Sequence, residues 1–259
     1  MQSKYQDPVF AEYWNKRAGD QGEAYKQYVL DPIMLNQVGD LSNKTIIDLG
    51  CGNGYLASKL LEQHPKKIIL MDISESNISY AKEKTQSEKV EFIRADATKP
   101  WGISPESINI VYSNMLLNEI ENIKTPIEEA YRVLGSKGIF IFSVTHPAWD
   151  LFVYGQEKVG KTSNKIKGLG GYFRRGYAKY IMGSDSKTNP DLAKEYNQEF
   201  EVEHYQRTIS DYFQQLISAG FTVRSMIEPE LSEELTKNNP RFLDMKDIPI
   251  GLILMGVKK

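Results

Sequence analysis

The sequence has few of the residues on which disulfide-stabilised, metal-binding and membrane-spanning proteins depend. Cys51 is the single cysteine, which excludes a disulfide within the chain and is compatible with a reducing compartment. The three histidines lie far apart, and no His, Cys and Asp cluster has zinc-site spacing, so no metal is predicted. No apolar run approaches the ~20 residues of a membrane span, so no membrane partner is expected.

The N-terminal stretch and the overall charge narrow the class further. Residues 1–10, MQSKYQDPVF, contain no basic region followed by an apolar stretch, so no secretory signal is predicted and a cytoplasmic location is expected. The net charge of −2 gives no global reason to expect a nucleic acid or an anionic membrane as partner. The remaining expectation is a globular protein, a monomer or a homodimer.

The sequence does contain a glycine-rich turn at Thr45 to Tyr55, TIIDLGCGNGY. A short apolar strand, Thr45 to Leu49, leads into Gly50, Gly52 and Gly54, and helix-forming residues follow. Glycine is required where the backbone adopts positive φ values and where a ligand approaches bare amides. The first N–H groups of the next helix and the positive end of its dipole face the same space. This stretch therefore predicts a cofactor-binding turn.

Two ligand classes use such a turn, and the details separate them. The dinucleotide fingerprint is G-x-G-x-x-G, whereas this chain has G-x-G-x-G preceded by Asp48. An acidic side chain there would repel a pyrophosphate but could hold a cationic or amine-bearing ligand. The pattern D-L-G-C-G-N-G resembles the first motif of the class I S-adenosylmethionine-dependent methyltransferases. In outline the resemblance extends from Asp7 to Lys259 and is to the small-molecule branch, similar to methyltransferase domains 11 and 25.

Acidic residues also follow the next two predicted strands. The strand KIILMD ends in Asp72, which lies 20 positions beyond Gly52 and is placed to bind both hydroxyls of a ribose. Asp96 follows the third strand, where the resemblance implies a contact to the adenine amino group. Each aspartate alone could be a loop carboxylate without a role. Because successive parallel strands end at one edge of a sheet, Asp48, Asp72 and Asp96 are expected to lie together.

The order of apolar strands and amphipathic helices predicts an α/β fold. We expect a Rossmann-like, doubly wound, seven-stranded and mostly parallel sheet with helices on both faces. The resemblance implies the strand order 3-2-1-4-5-7-6 with an antiparallel last strand. Residues 1–259 are expected to form one methyltransferase domain. Its additions are an N-terminal helical cap, 1–44, and an insertion, 148–205, between the fifth strand and the last long helix, which is expected to form a substrate lid.

The resemblance also implies which residues bind the cofactor. The opening Y-W-x-x-R-A is similar to segments that close on the methionine end of S-adenosylmethionine, with Arg17 free to meet a carboxylate; an aromatic helix packed on the domain edge is the alternative. The residues expected to bind S-adenosylmethionine, and the product S-adenosylhomocysteine, are Trp14, Arg17, Asp48, Gly50, Cys51, Gly52, Asp72, Ile73, Asp96, Ala97, Asn114 and Met115.

His146 is the candidate general base. It follows the fifth predicted strand at the ligand side of the sheet, and histidine is the side chain whose ordinary pKa suits proton transfer near pH 7. The alternative interpretation is that His146 only forms a hydrogen bond to a neighbouring loop.

Three functions remain open at this stage. The leading hypothesis is methyl transfer from S-adenosylmethionine to an O or N atom of a small metabolite, by in-line displacement. The second is an RNA or protein methyltransferase whose basic, aromatic insertion, centred on GLGGYFRRGYAKY, holds a polyanion; nucleic acid is not favoured, because the same insertion becomes acidic towards its end. The third is a non-catalytic nucleoside-binding subunit.

Overall fold

A seven-stranded sheet forms the centre of the molecule. The computed structural model describes residues 3–149, 172–173, 175–182, 190–197 and 199–259. The strands are β1 (Thr45–Leu49), β2 (Lys67–Asp72), β3 (Val90–Arg94), β4 (Ile108–Asn114), β5 (Leu134–Thr145), β6 (Gly176–Met182), β7 (Phe200–Gln206), β8 (Thr222–Ile227) and β9 (Gly251–Val257). The α-helices are α1 (Pro8–Ala18), α2 (Asp31–Val38), α3 (Ala57–Leu61), α4 (Glu75–Lys84), α5 (Lys124–Val133), α6 (Pro190–Tyr196), α7 (Ile209–Ser218) and α8 (Glu233–Asn238).

The sheet has the order β3-β2-β1-β4-β5-β9-β8. Strands β1 to β5 pair in parallel, and β9 runs antiparallel to both β5 and β8. Strands β6 and β7 pair with each other in a separate two-stranded antiparallel sheet. Without these two strands of the insertion, the order along the chain is 3-2-1-4-5-7-6. The predicted fold class, strand order and antiparallel last strand are confirmed.

Apolar residues on both faces of the sheet divide the core in two. Ile46 and Ile47 are neighbours on β1, and because successive side chains of a strand point to opposite faces, they belong to different clusters. Ile46 packs with Met34 of α2, whereas Ile47 packs on the face covered by α5 and α7. Each fully buried side chain of this kind contributes about 1.5–3 kcal/mol of transfer free energy. The result is a rigid sheet whose carboxyl ends are fixed in position.

The N-terminal helix packs against the insertion through aromatic rings. The Phe200 ring on β7 lies 5.3 Å from Phe10 and 4.9 Å from Tyr13 between centroids. Lys16 of α1 also forms an ion pair with Glu195 of α6. Segment α1 and the described part of the insertion therefore form a single packed layer. Among the helices of the described ranges, none is both long enough and apolar enough to cross a bilayer.

Candidate active site

A cavity lies where β1, β2 and β4 end and where the N-terminal segment crosses over the sheet. The space enclosed by its walls is about 1040 Å³, open solvent at its mouth included. Its floor is formed by the strand ends and the glycine turn, and its cover by residues from Ser3 to Lys26. In an open α/β sheet this edge is where ligands bind, because the helix N-termini and the strand-end side chains converge there.

The glycine turn has the geometry that its sequence requires. Gly52 and Gly54 adopt φ values of +55° and +72°, in the left-handed region that favours glycine. A Cβ built on Gly54 would lie 2.8 Å from the Cβ of Ala81, so α4 packs directly on the turn. A Cβ built on Gly52 would meet nothing within 4 Å, since this residue faces the cavity. Gly54 thus permits close packing of α4 on the turn, and Gly52 keeps the cavity floor clear for a ligand.

Asp72 connects β2 to the glycine turn. Its Oδ2 atom accepts a hydrogen bond from the backbone N–H of Gly52 at 2.9 Å, and its Oδ1 atom accepts one from Ser74 N–H at 2.8 Å. The Nδ2 group of Asn77 donates to the same Oδ1 atom at 3.3 Å. Burial raises the pKa of Asp72, while these donors oppose the rise. The carboxylate is therefore held at the cavity wall with a fixed orientation.

Asn77 carries an unsatisfied acceptor at the same wall. Its Oδ1 atom is buried and has no hydrogen-bond partner within the part of the chain that the structure describes. Buried polar atoms are nearly always paired, so such an atom in a cavity wall indicates a ligand donor or an ordered water. Together with the adjacent Asp72, Asn77 offers the acceptors that hydroxyl groups of a ribose would use.

Two further carboxylates give this end of the sheet an acidic character. Asp48, at the tip of β1, is 3% exposed, and burial raises its pKa to about 7, with Asp31 and Asp72 adding to the rise and Lys26 opposing it. Asp96, after β3, lies in the same cavity wall, and its Oδ1 atom accepts hydrogen bonds from the N–H and Oγ1–H of Thr98. A cavity bounded by Asp48, Asp72 and Asp96 favours a ligand that carries positive charge and several donors.

A hydrogen-bond network lies behind the cavity wall, between α2 and the strand ends. Asp31 Oδ1 accepts from Asn114 Nδ2 at 2.8 Å and from the Tyr55 hydroxyl at 3.1 Å. The Ser143 hydroxyl donates to Asn114 Oδ1 at 2.6 Å. Asn114 and Tyr55 line the cavity, whereas Asp31 does not. The side-chain amide of Asn114 thus has its orientation fixed by an acceptor on one side and a donor on the other.

The structure brings together most of the residues that the sequence indicates for the cofactor. They converge from the N-terminal segment, the glycine turn and the ends of β2, β3 and β4 on the walls of the cavity. These residues are Trp14, Asp48, Gly50, Cys51, Gly52, Asp72, Ile73, Asp96, Ala97, Asn114 and Met115. Contact of each one with a bound cofactor stays a prediction, which binding measurements can test.

Arg17 is not among the residues that line the cavity. Its Nε group donates to Glu23 Oε1 at 2.8 Å, and its Nη1 group approaches the Tyr13 hydroxyl at 3.4 Å. These contacts hold the guanidinium within the N-terminal segment, and its contact with a cofactor carboxylate stays a prediction. The structure therefore gives Arg17 a place in the cover of the cavity, where it connects α1 to the next turn.

His146 also lies outside the residues that line the cavity. It is 4% exposed, and its Nδ1 atom accepts a hydrogen bond from Ala148 N–H at 3.1 Å. The proton is therefore on Nε2, which donates to Glu228 Oε1 at 2.8 Å. Burial lowers the pKa of His146, partly offset by Glu228. Both ring nitrogens have protein partners, so the catalytic role of His146 stays a prediction to which this geometry adds no support.

Several residues that line the cavity were not singled out from the sequence. They are Tyr5, Glu23, Lys26, Tyr55, Asn77 and Glu119. Lys26 is the one basic residue in the described lining, and it reaches the cavity from a π-helical turn, Lys26–Leu30, just before α2. Glu119 carried a weak signal, because it lies five residues after the end of β4. For Lys26 the sequence offered none, since nothing in its pattern predicts a π-helical turn.

Comparisons with known proteins agree with this geometry. A methyltransferase domain model matches residues 40–203, which is more than half of the chain. A crystal structure of a candidate S-adenosylmethionine-dependent methyltransferase from Listeria monocytogenes is 26% identical, with a TM-score of 0.66 over 91% of this chain and 98% of that chain. The chain therefore belongs to the methyltransferase domain family. It is an S-adenosylmethionine-dependent methyltransferase of class I.

Two curated relatives match this chain over very different lengths. An uncharacterised protein of Haemophilus influenzae is 27% identical over 234 residues, covering 88% of this chain and 86% of that protein. A malonyl-[acyl-carrier protein] O-methyltransferase of Hamiltonella defensa is 28% identical over 110 residues, covering 42% of this chain and 41% of the relative. Because less than half of the second relative is matched, this comparison does not show the substrate of the present chain.

Proposed function

We propose that this methyltransferase transfers the methyl group of S-adenosylmethionine to an oxygen or nitrogen atom of a small molecule held in the same cavity. The observation that carries the proposal is the cover over the strand ends. Ser3, Tyr5 and Trp14 lie across the cavity, and α1 is anchored by its aromatic contacts with β7. A covered cavity suits a small acceptor, which must be enclosed, better than a polymer, which needs an open groove.

The cofactor fits the residues of the cavity. The acidic end, with Asp72, Asn77 and Asp96, offers acceptors for the ribose hydroxyls and for the adenine amino group. The tip of β1, with Asp48 and the clear floor at Gly52, offers negative charge and space for the cationic part of the cofactor. We assign the nucleoside to the ends of β2 and β3, and the sulfonium and amino-acid half to the ends of β1 and β4.

The protein contributes position and electrostatics to the reaction, because the bound cofactor supplies the reactive methyl carbon. An acceptor must approach that carbon in line with the bond that breaks. In the proposed placement the acceptor enters from the side of Trp14 and Glu119, which line the same cavity as Asn114. Glu119, whose Oε1 atom accepts a hydrogen bond from Asn118 Nδ2 at 2.8 Å, is the carboxylate that we propose receives the acceptor's proton.

An oxygen acceptor has additional support. Several curated relatives are malonyl-[acyl-carrier protein] O-methyltransferases, although each is matched over less than half of its length. Lys26, the basic residue of the described lining, could hold a negative charge on an acidic acceptor. Small carboxylic acids and acyl thioesters are therefore the first compounds to test, followed by phenols and amines.

The polyanion-binding alternative receives less support from the described residues. Arg175 of the insertion forms an ion pair with Asp211 at 2.9 Å, and Arg207, which lies just beyond the insertion, donates to the backbone carbonyl groups of Leu117 and Ile120. These two arginines are therefore engaged within the protein. The remaining basic residues of the insertion on which this hypothesis rested include five that lie outside the described residues: Lys158, Lys161, Lys165, Lys167 and Arg174.

The test of the proposal begins with the cofactor and then moves to the acceptor. Isothermal titration calorimetry with S-adenosylmethionine, S-adenosylhomocysteine and NAD should show micromolar affinity for the first two and none for NAD. A panel of small acids, acyl thioesters, phenols, amines and a short RNA would then be assayed for transfer of a labelled methyl group. Transfer to RNA but to no small molecule would overturn the proposed acceptor class and leave the cofactor assignment intact.

A further inference from the structure

Asp31 is a buried carboxylate that lies behind the cavity and does not line it. It is the first residue of α2, directly after the π-helical turn, and it is 1% exposed. A charged group is rarely buried to this extent unless it is paired and hydrogen-bonded, because desolvation is expensive. The hydrogen-bond and charge partners of Asp31 therefore indicate its role.

Three donors converge on one oxygen atom of this carboxylate. Asn114 Nδ2, the Tyr55 hydroxyl and the Tyr112 hydroxyl lie 2.8, 3.1 and 3.4 Å from Asp31 Oδ1. Asn114 Nδ2 also approaches the Tyr55 hydroxyl at 3.2 Å. An ionised carboxylate is an acceptor only, so it satisfies all three donors, whereas a protonated one would add a competing donor. Burial raises the pKa of Asp31, whereas Lys59, Lys26 and the Tyr55 hydroxyl oppose the rise, so these partners favour its ionised form.

Lys59 of α3 supplies the opposite charge. Its Nζ group lies 3.2 Å from Asp31 Oδ2, and it also lies 5.7 Å from the centroid of the Tyr55 ring. The side chain of Lys59 is 23% exposed, so its ammonium group retains some contact with water while it pairs with a buried partner. The other titratable groups around Asp31 are Lys26, Asp48, Tyr55 and Tyr112.

We propose that Asp31, kept ionised by Lys59, is a positioning residue that fixes Tyr55 and Asn114 in the cavity wall beside the amino-acid half of the cofactor. This inference rests on the proposed placement of the cofactor, with that half at the ends of β1 and β4. Asn114 ends β4, whereas the acceptors for the nucleoside lie on β2 and after β3. Loss of the Asp31 charge should therefore weaken one half of the cofactor site and spare the other.

The test compares two ligands that differ only in that half. S-adenosylhomocysteine carries the amino-acid group, and 5′-methylthioadenosine has the same nucleoside and sulfur without it. In calorimetric titrations, Asp31→Asn should lose about tenfold in affinity for S-adenosylhomocysteine, the loss of one charge-assisted hydrogen bond. Its affinity for 5′-methylthioadenosine should stay within about twofold of the wild-type value. The matched control is Asp40→Asn, which removes an exposed carboxylate next to the end of α2.

Lys59 provides a second variant that keeps the proposal testable if Asp31→Asn does not fold. Lys59→Met removes the counter-charge from a partly exposed site, so protonation of Asp31 becomes easier. The ratio of its affinity for S-adenosylhomocysteine to that of the wild type should fall as the pH is lowered from 8 to 6. Taking this ratio removes the part of the pH dependence that the two proteins have in common. Lys59→Arg, which keeps the charge, should show no such fall.

Two results would overturn the inference. One is an equal loss for both ligands in Asp31→Asn, which is what a purely structural role would produce. The other is a constant affinity ratio for Lys59→Met across this pH range. Failure of the wild-type protein itself to bind S-adenosylhomocysteine is a different outcome, because it would remove the proposed cofactor site on which the inference rests.

Discussion

The carboxylate of Asp72 accepts a hydrogen bond from the backbone N–H of Gly52 at 2.9 Å, so the end of β2 and the glycine turn are joined by one side chain. The two residues are separated by 20 positions in the sequence and meet because β1 and β2 are parallel neighbours. Asp72 therefore has two tasks in the proposed site. It would bind the ribose, and it holds the turn on which the rest of the cofactor lies.

Replacement of Asp72 tests both tasks together. We expect Asp72→Ala to weaken S-adenosylhomocysteine binding by about 1–3 kcal/mol, because charged hydrogen bonds to the ribose are lost and Gly52 N–H loses its partner. Calorimetric titration measures the change, with the exposed Asp40→Ala as the matched control. Unchanged affinity in Asp72→Ala would contradict the ribose assignment.

Gly52 allows the turn to be tested without a change of charge. We expect Gly52→Ala to lose about 1–2 kcal/mol of stability, because alanine is strained at a φ of +55°, and also to bind the cofactor more weakly, because its methyl group enters the cavity. Gly102 is the control, since it has a φ of +69°, is exposed and likewise meets nothing within 4 Å.

Thermal unfolding and calorimetric titration should be measured on both glycine variants. Gly102→Ala should share the stability loss and keep the affinity. If the two variants bind S-adenosylmethionine equally well, the floor at Gly52 is not part of the cofactor site.

The buried Asp48 predicts a pH dependence of stability. Its pKa is raised to about 7 in the folded protein, mainly by burial, above the value of 3.8 for a free aspartate. A raised pKa contributes stability at low pH that is lost as the pH rises through the range from 3.8 to about 7. The free energy of unfolding of Asp48→Asn should therefore exceed that of the wild type by about 1 kcal/mol or more between pH 5 and pH 8. Urea unfolding at a series of pH values checks this, and a constant difference would count against the assignment.

The same group predicts a pH dependence of binding. A cationic cofactor favours the ionised form of Asp48, so binding should release a proton near neutral pH. We expect the affinity for S-adenosylmethionine to increase between pH 6 and pH 8, and that for S-adenosylhomocysteine, which has no sulfonium, to increase less. Titrations in buffers of different ionisation enthalpy report the released proton directly. The difference between the two ligands should vanish in Asp48→Asn.

The catalytic role of His146 can be tested by comparing variants of His146 with a variant of its partner Glu228. Because both ring nitrogens are hydrogen-bonded within the protein, a structural role predicts that His146→Ala lowers stability and leaves turnover near the wild-type value, once an acceptor is known. A general base would instead lose ~10²-fold or more in turnover with cofactor affinity intact. Glu228→Gln is the matched control, since it removes the charge of the partner and keeps the imidazole. A large loss of turnover confined to His146→Ala would establish the catalytic role.

The sheet and the edge at which the cavity lies could be predicted from the residue types and their order along the chain. Parallel strands separated by helices have their carboxyl ends on one side, so Asp48, Asp72 and Asp96 were expected at one edge of the sheet. The positive φ values of the glycine turn follow equally from local chemistry, because few other residues tolerate them. These features depend on backbone direction and residue type, both of which can be inferred without knowledge of side-chain partners.

Which side chains reach the cavity depends on how the complete chain packs, and the sequence pattern did not predict it. Arg17 pairs with Glu23, His146 with Glu228, and Asp31 with Asn114, which is 83 positions away. Each pairing depends on the packing of a helix or loop against the sheet, and no periodicity in the chain encodes it. Lys26 enters the cavity for the same reason, through a π-helical turn next to the start of α2. Strand direction follows from the alternation of strands and helices along the chain. The choice of a hydrogen-bond partner depends on how the folded chain packs.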